Sequence, residues 1–85
     1  MIIKTTKSFD KQYGRLPAVD KGRFKQRLEL FSTNPFDKAL RNHGLRGKYL
    51  GYRSIDIKGD LRALYYVEGD TVYIFAFIGS HSQLY

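Results

Sequence analysis

The chain predicts an α+β fold, two N-terminal helices on a mainly antiparallel sheet, and three observations carry that reading. The last third consists of three runs dense in Tyr, Ile, Val and Phe, separated only by the turn segments Lys58-Gly59-Asp60 and Glu68-Gly69-Asp70. Such spacing is that of consecutive hairpins. Upstream, the apolar residues recur every three to four positions, the period of helices with one buried face. A short apolar pair, Ile2 and Ile3, precedes both.

Ile2 and Ile3 begin a short strand. Ser8 is the expected cap of a first helix carrying Phe9, Tyr13 and Leu16 on one face, and Pro17 marks a break and a new helix start. A second helix is predicted from about Ala18 to Phe31, with Phe24, Leu28 and Phe31 inward and Lys21, Lys25 and Glu29 outward. Thr33, Asn34 and Pro35 stop it. From Asp37 to Lys48 the sequence reads as a loop holding Lys38, Arg41, His43, Arg46 and Lys48. The strands are then predicted at Leu50–Ile57, Leu61–Val67 and Thr71–Ile78, forming a meander. In the last of them Val72, Ile74, Ala76 and Ile78 alternate with Tyr73, Phe75 and Phe77. Apolar residues on both faces place this strand centrally, with helices on one side.

At 85 residues there is room for one domain and one modest core. Without cysteine, no disulfide framework or thiolate zinc site is possible. A cytoplasmic protein is the expectation: no apolar run is long enough for a signal peptide or a membrane span. The net charge of +7 is uneven, with twelve Lys and Arg against four Asp and Glu through Tyr49, and three against four from Leu50 onward. Roughly +8 on the first part points to a polyanion or an acidic protein as partner.

Chemistry-bearing residues are few. The hairpin between the first two meander strands should bring Asp56, Asp60 and Arg62 together. Arg62 can pair with either carboxylate, or hold a phosphate and stabilise its transition-state charge. His81 lies just beyond the last strand, where a side chain is well held yet accessible for proton transfer. His43 is a loop histidine. The two imidazoles have no HxxxH or HxH spacing, so no metal site is expected. There is no glycine-rich phosphate loop, Ser/His/Asp signature or helix-turn-helix pattern either.

Four segments together resemble the RelE/ParE toxin superfamily, and its YafQ-like branch most: Asn42-His43-Gly44-Leu45-Arg46-Gly47, Gly51-Tyr52-Arg53, Asp60-Leu61-Arg62-Ala63-Leu64-Tyr65, and Gly79-Ser80-His81-Ser82-Gln83-Leu84-Tyr85. The resemblance implies a RelE-like β-α-α-β-β-β domain over residues 1–85. It further implies a toxin of a type II toxin–antitoxin system: a ribosome-dependent, metal-independent mRNA endonuclease with no cofactor, held inactive by an acidic antitoxin. The family's site roles would fall on His43, Asp60 and His81, with Arg62 at the scissile phosphate and Tyr85 as the terminal aromatic. Asp56 stands where the branch has a further histidine, and Leu61 where it has a tryptophan, so Asp56 becomes a supporting residue of a mixed site.

Attack by a ribose 2′ oxygen needs a base, an acid for the departing 5′ oxygen, and cations for the phosphorane. His81 is the expected acid or general acid/base, with His43 or Asp60 taking the 2′ proton. Arg46, Lys48 and Arg53 would assist Arg62, and Tyr85 would stack on a base. A ParE-like toxin that blocks a protein target such as gyrase, and a basic nucleic-acid-binding module without chemistry, are the competing readings.

Overall fold

The structure, a computed structural model, describes all residues from 1 to 85. Strand β1 (Ile2–Thr5) leads into helices α1 (Lys7–Gly14) and α2 (Ala18–Thr33). A 3-10 turn (Lys38–Leu40), a two-residue strand β2 (His43–Gly44) and a second 3-10 turn (Gly47–Tyr49) follow. The meander is β3 (Arg53–Lys58), β4 (Leu61–Glu68) and β5 (Val72–Ser80), closed by the one-turn helix α3 (His81–Leu84). Strand order is β1-β5-β4-β3-β2, with β1 parallel to β5 and every other pairing antiparallel. The α+β class and the meander agree with the sequence, and β5 is paired on both sides as its composition requires.

Several boundaries differ. Segment Asp37–Lys48 is more than a loop, because β2 adds a fifth strand there. The first predicted strand of the meander starts at Arg53 instead of Leu50: Gly51 takes φ +94° and Leu50 is exposed, so the chain turns before it pairs. The cap of α1 is Thr6 and not Ser8. Thr6 Oγ1 accepts from the Phe9 amide at 3.1 Å, which leaves Ser8 inside the first turn.

Both helices cover one face of the sheet. Phe9, Phe24, Phe31 and Phe75 meet there with ring centroids 5.3–6.1 Å apart, and Phe31 also lies 5.0 Å from Tyr65. Phe31 and Phe75 are fully buried. Truncating either to alanine would cost about 3–5 kcal/mol, a large share of the stability of a domain this small.

Strict alternation would put Phe75 and Phe77 on the same face; the structure overturns this. Register between β4 and β5 shifts at Leu64/Tyr65, so Ala76 is an extra residue in β5. Past a bulge, every side chain changes sides. Phe75 and Ile78 therefore share the helix-side core. Phe77 faces the other way, its ring 5.7 Å from Tyr49 and 6.0 Å from Tyr52.

Helix α1 satisfies the backbone that this bulge and the end of β1 leave open. Thr6 Oγ1 donates to the Ala76 carbonyl at 2.8 Å, and Gln12 Oε1 accepts from the Ile78 amide at 2.9 Å. Helix α2 does the same at a second register shift, in β3 between Asp56 and Lys58. There the Nε groups of Arg23 and Arg27 donate to the Ile57 carbonyl at 3.3 and 3.2 Å. Buried backbone groups need such partners. These basic residues thus serve the fold before they serve any ligand.

Candidate active site

The helix-free face of the sheet gathers most of the chemistry. On β3, Ile55 and Ile57 join the helix-side core, so Ser54 and Asp56 point to the opposite face by strand alternation. On β4, Ala63 and Tyr65 are likewise inward, which turns Arg62, Leu64 and Tyr66 outward. Cross-strand pairing then aligns Asp56 with Arg62, and His43 with Ser54. Four residues from three strands thereby share one surface.

Helix α3 folds the chain end back over this surface. Ser80 and Gln83 form a reciprocal capping box, a device that satisfies two amides which the helix start leaves open. The His81 amide donates to the Asp60 carbonyl at 3.1 Å. Tyr49 Oη donates to the Leu84 carbonyl at 2.7 Å, and Leu84 is buried. A Cβ at Gly79 would lie 3.0 Å from Gln83 Oε1 and 3.4 Å from Leu84 Cδ2. Glycine there is what lets α3 approach.

The result is an open depression of about 290 Å³ lined by Arg41, His43, Leu45, Arg62, His81 and Tyr85. The His81 and Tyr85 rings lie 4.6 Å apart, and Tyr85 stands edge-on to Tyr49 at 5.5 Å. Arg62 donates through Nη1 to Asp56 Oδ1, while Arg41 Nε lies 3.4 Å from Asp56 Oδ2. One half-buried carboxylate thus holds two guanidinium groups. Two cations against one anion leave net positive charge facing the depression, suited to a phosphate.

His43 Nδ1 lies 2.8 Å from the Arg41 carbonyl oxygen. A carbonyl only accepts, so the bond requires the proton on Nδ1 and leaves the Nε2 lone pair free. Arg41 adopts the left-handed conformation, φ 47°. That backbone costs a non-glycine residue about 1–3 kcal/mol, and it belongs to the turn that aims this carbonyl. The Tyr85 phenol is pushed above its ordinary range by burial, against the pull of the Ser54 hydroxyl and the Arg62 guanidinium. Ser54 Oγ is itself buried without a hydrogen bond of ordinary geometry.

Of the residues singled out by sequence, His43, Arg62, His81 and Tyr85 line the depression, with Asp56 directly behind Arg62. Asp60 does not line it. The pleat ends at the β3–β4 turn before Asp60, whose side chain is exposed and whose carbonyl anchors His81 instead. Arg53 turns to the opposite face, beside its cross-strand partner Tyr65. There it donates to Asn42 Oδ1 at 2.8 Å and lies 5.3 Å from the centroid of the Phe36 ring, so it is committed to the fold. Arg46 and Lys48 are exposed on the neighbouring loop, with Lys48 Nζ 5.1 Å from the Tyr49 ring centroid, outside the depression. The sequence reading missed Arg41 and Leu45. Arg41 was one cation among several in that loop, and only its fold-dependent contact with Asp56 sets it apart.

Comparison with known proteins adds the following. The family model described as a bacterial toxin of type II toxin-antitoxin system, YafQ, matches residues 1–85. No curated protein matches the chain. Among solved structures, the conserved hypothetical protein HP0894 from Helicobacter pylori is 31% identical, with 100% of this chain and 99% of that one covered and a TM-score of 0.72. YafQ in the E. coli DinJ-YafQ toxin-antitoxin complex is 23% identical, over 98% of this chain and 94% of that chain, with a TM-score of 0.72. The YoeB/ParE toxin from Agrobacterium tumefaciens is 22% identical over 95% and 99%, with a TM-score of 0.79. At these last two identities the likeness establishes the fold.

Proposed function

Because the chain belongs to the YafQ family of bacterial toxins of type II toxin–antitoxin systems, we propose that it cleaves mRNA on the ribosome, in the cytoplasm, without a metal ion. The observation that carries this reading is the meeting of His43, Arg62, His81 and Tyr85 around one depression. Residues so distant in the chain supply together a base, an anion-holding cation, an acid and a stacking surface.

In the proposed reaction His43 Nε2 takes the proton of a ribose 2′ hydroxyl, the tautomer set by its Nδ1 bond making it the base. The 2′ oxygen bonds to the adjacent phosphorus, and the bond from phosphorus to the 5′ oxygen breaks. His81 gives that 5′ oxygen a proton, leaving a 2′,3′-cyclic phosphate and a 5′ hydroxyl. Arg62, with Arg41 beside it, meets the charge that grows on the phosphorane oxygens. Tyr85 supports a nucleobase by stacking. Asp56 keeps both guanidinium groups in place.

A cognate antitoxin is the expected partner, as DinJ is for the E. coli protein. The excess of positive charge on the first part of the chain favours an acidic one. Arg46 and Lys48, exposed beside the site, are placed to meet the RNA backbone of mRNA or ribosome.

Purified protein incubated with programmed ribosomes should cut the bound message, and His81→Ala should not. Intact message with wild-type protein, together with loss of supercoiling in a parallel gyrase assay, would replace this reading with a ParE-like one.

A further inference from the structure

Asn42 lies between the two residues that build the base, and its side chain points away from both, into the other face of the sheet. Its Nδ2 donates to the Pro35 carbonyl at 2.9 Å and to Tyr65 Oη at 2.7 Å, while its Oδ1 accepts from Arg53 Nε at 2.8 Å. Pro35 offers only a carbonyl acceptor and Arg53 only donors, so the amide has one orientation. Tyr65 is itself buried against Phe31. The Asn42 side chain is therefore held on three sides, with its deepest contact in the core.

We infer that Asn42 is a positioning residue, which through Tyr65 and Arg53 fixes the Arg41 carbonyl and hence the tautomer and aim of His43. The peptide unit that carries the Arg41 carbonyl is attached to the Asn42 Cα. Fixing the Asn42 side chain thus fixes the acceptor that His43 Nδ1 meets at 2.8 Å. It also holds Arg41 in its left-handed backbone conformation, which the chain would otherwise leave. Arg53, committed on the far face, acts on the site through this amide. The inference rests on the proposed role of His43 for its effect on cleavage, whereas the effect on the imidazole itself is independent of that role.

The test is nitrogen NMR of the His43 imidazole in the folded protein, beside single-turnover cleavage on ribosomes. Wild type should show one tautomer with Nδ1 protonated. Asn42→Ala should show both tautomers exchanging, with kcat lower by about 10- to 100-fold and KM within about twofold, the pattern of a misaimed group in an otherwise intact site. Tyr65→Phe, which removes one bond and preserves the core volume, should give an intermediate result and serves if Asn42→Ala does not fold. Unchanged imidazole signals in Asn42→Ala or, should that variant not fold, in Tyr65→Phe overturn the inference. A wild type with the single tautomer but no cleavage would instead overturn the nuclease reading.

Discussion

Arg62 on β4 and Asp56 on β3 face each other across the hairpin and are joined by a hydrogen-bonded ion pair on the helix-free face. Their side chains are 21% and 15% exposed, so the pair is sheltered from solvent yet open at one edge. Of the two roles that its sequence context left open, Arg62 takes the paired one within the sheet, and from that position it also lines the depression.

Replacing Asp56 by asparagine should leave two like-charged guanidinium groups facing each other without their counterion. A hydrogen bond to a charged group contributes about 1.5–3 kcal/mol, and a loss in that range should appear as a lowered melting temperature. Cleavage should fall as well, because Arg62 and Arg41 are no longer held. An unchanged melt for Asp56→Asn would mean that the pair contributes nothing to the fold.

His81→Ala should reduce cleavage by on the order of 10²–10⁴-fold, the usual effect of removing an acid or base. Its side chain is exposed and makes no protein hydrogen bond, so stability should change by less than about 1 kcal/mol. Message cleavage read beside a thermal melt checks both. Full activity would remove His81 from the chemistry.

Gly79→Ala tests the close approach of α3. The added methyl would lie 3.0 Å from Gln83 Oε1, which is tied to the Ser80 amide at 2.8 Å, so this side chain should give by a few tenths of an ångström and shift the last turn with it. A stability loss of about 1–3 kcal/mol is expected for such overpacking. Solution spectra should show displaced His81 and Tyr85 signals while α1 and α2 stay unperturbed. Unmoved signals at Tyr85 would show that the capping box yields without cost.

Burial raises the phenols of both Tyr65 and Tyr85 above the ordinary value of 10.0. The folded state then holds these protons more tightly than the unfolded chain. Their contribution to stability is full below about pH 10 and is lost as pH rises through the raised folded values. Denaturant midpoints measured from pH 8 to 11 should fall less steeply above pH 10 in Tyr65→Phe than in wild type. Parallel curves would exclude Tyr65 as a source of the alkaline loss.

What the sequence alone determined is what local physics controls. Helical spacing placed α1 and α2, while Gly59 and Gly69 in tight turns fixed the meander. The four segments that carry the family resemblance already named His43, Arg62, His81 and Tyr85. Tertiary structure decided which of the other charged residues join them. As partners for Arg62 the chain left Asp56 and Asp60 both open, and the resemblance gave the site role to Asp60; register chose Asp56 for the pair, because only it lies in the pleat opposite Arg62. Arg53 and Arg41 changed places for a similar reason: alternation along β3 sends Arg53 to the helix side, and a left-handed turn brings Arg41 to Asp56. The bulge at Ala76 is the plainest case. A period of two reads correctly on either side of it, and nothing in the residues themselves marks the one position where Thr6, brought there by β1 and α1, makes the extra residue fit.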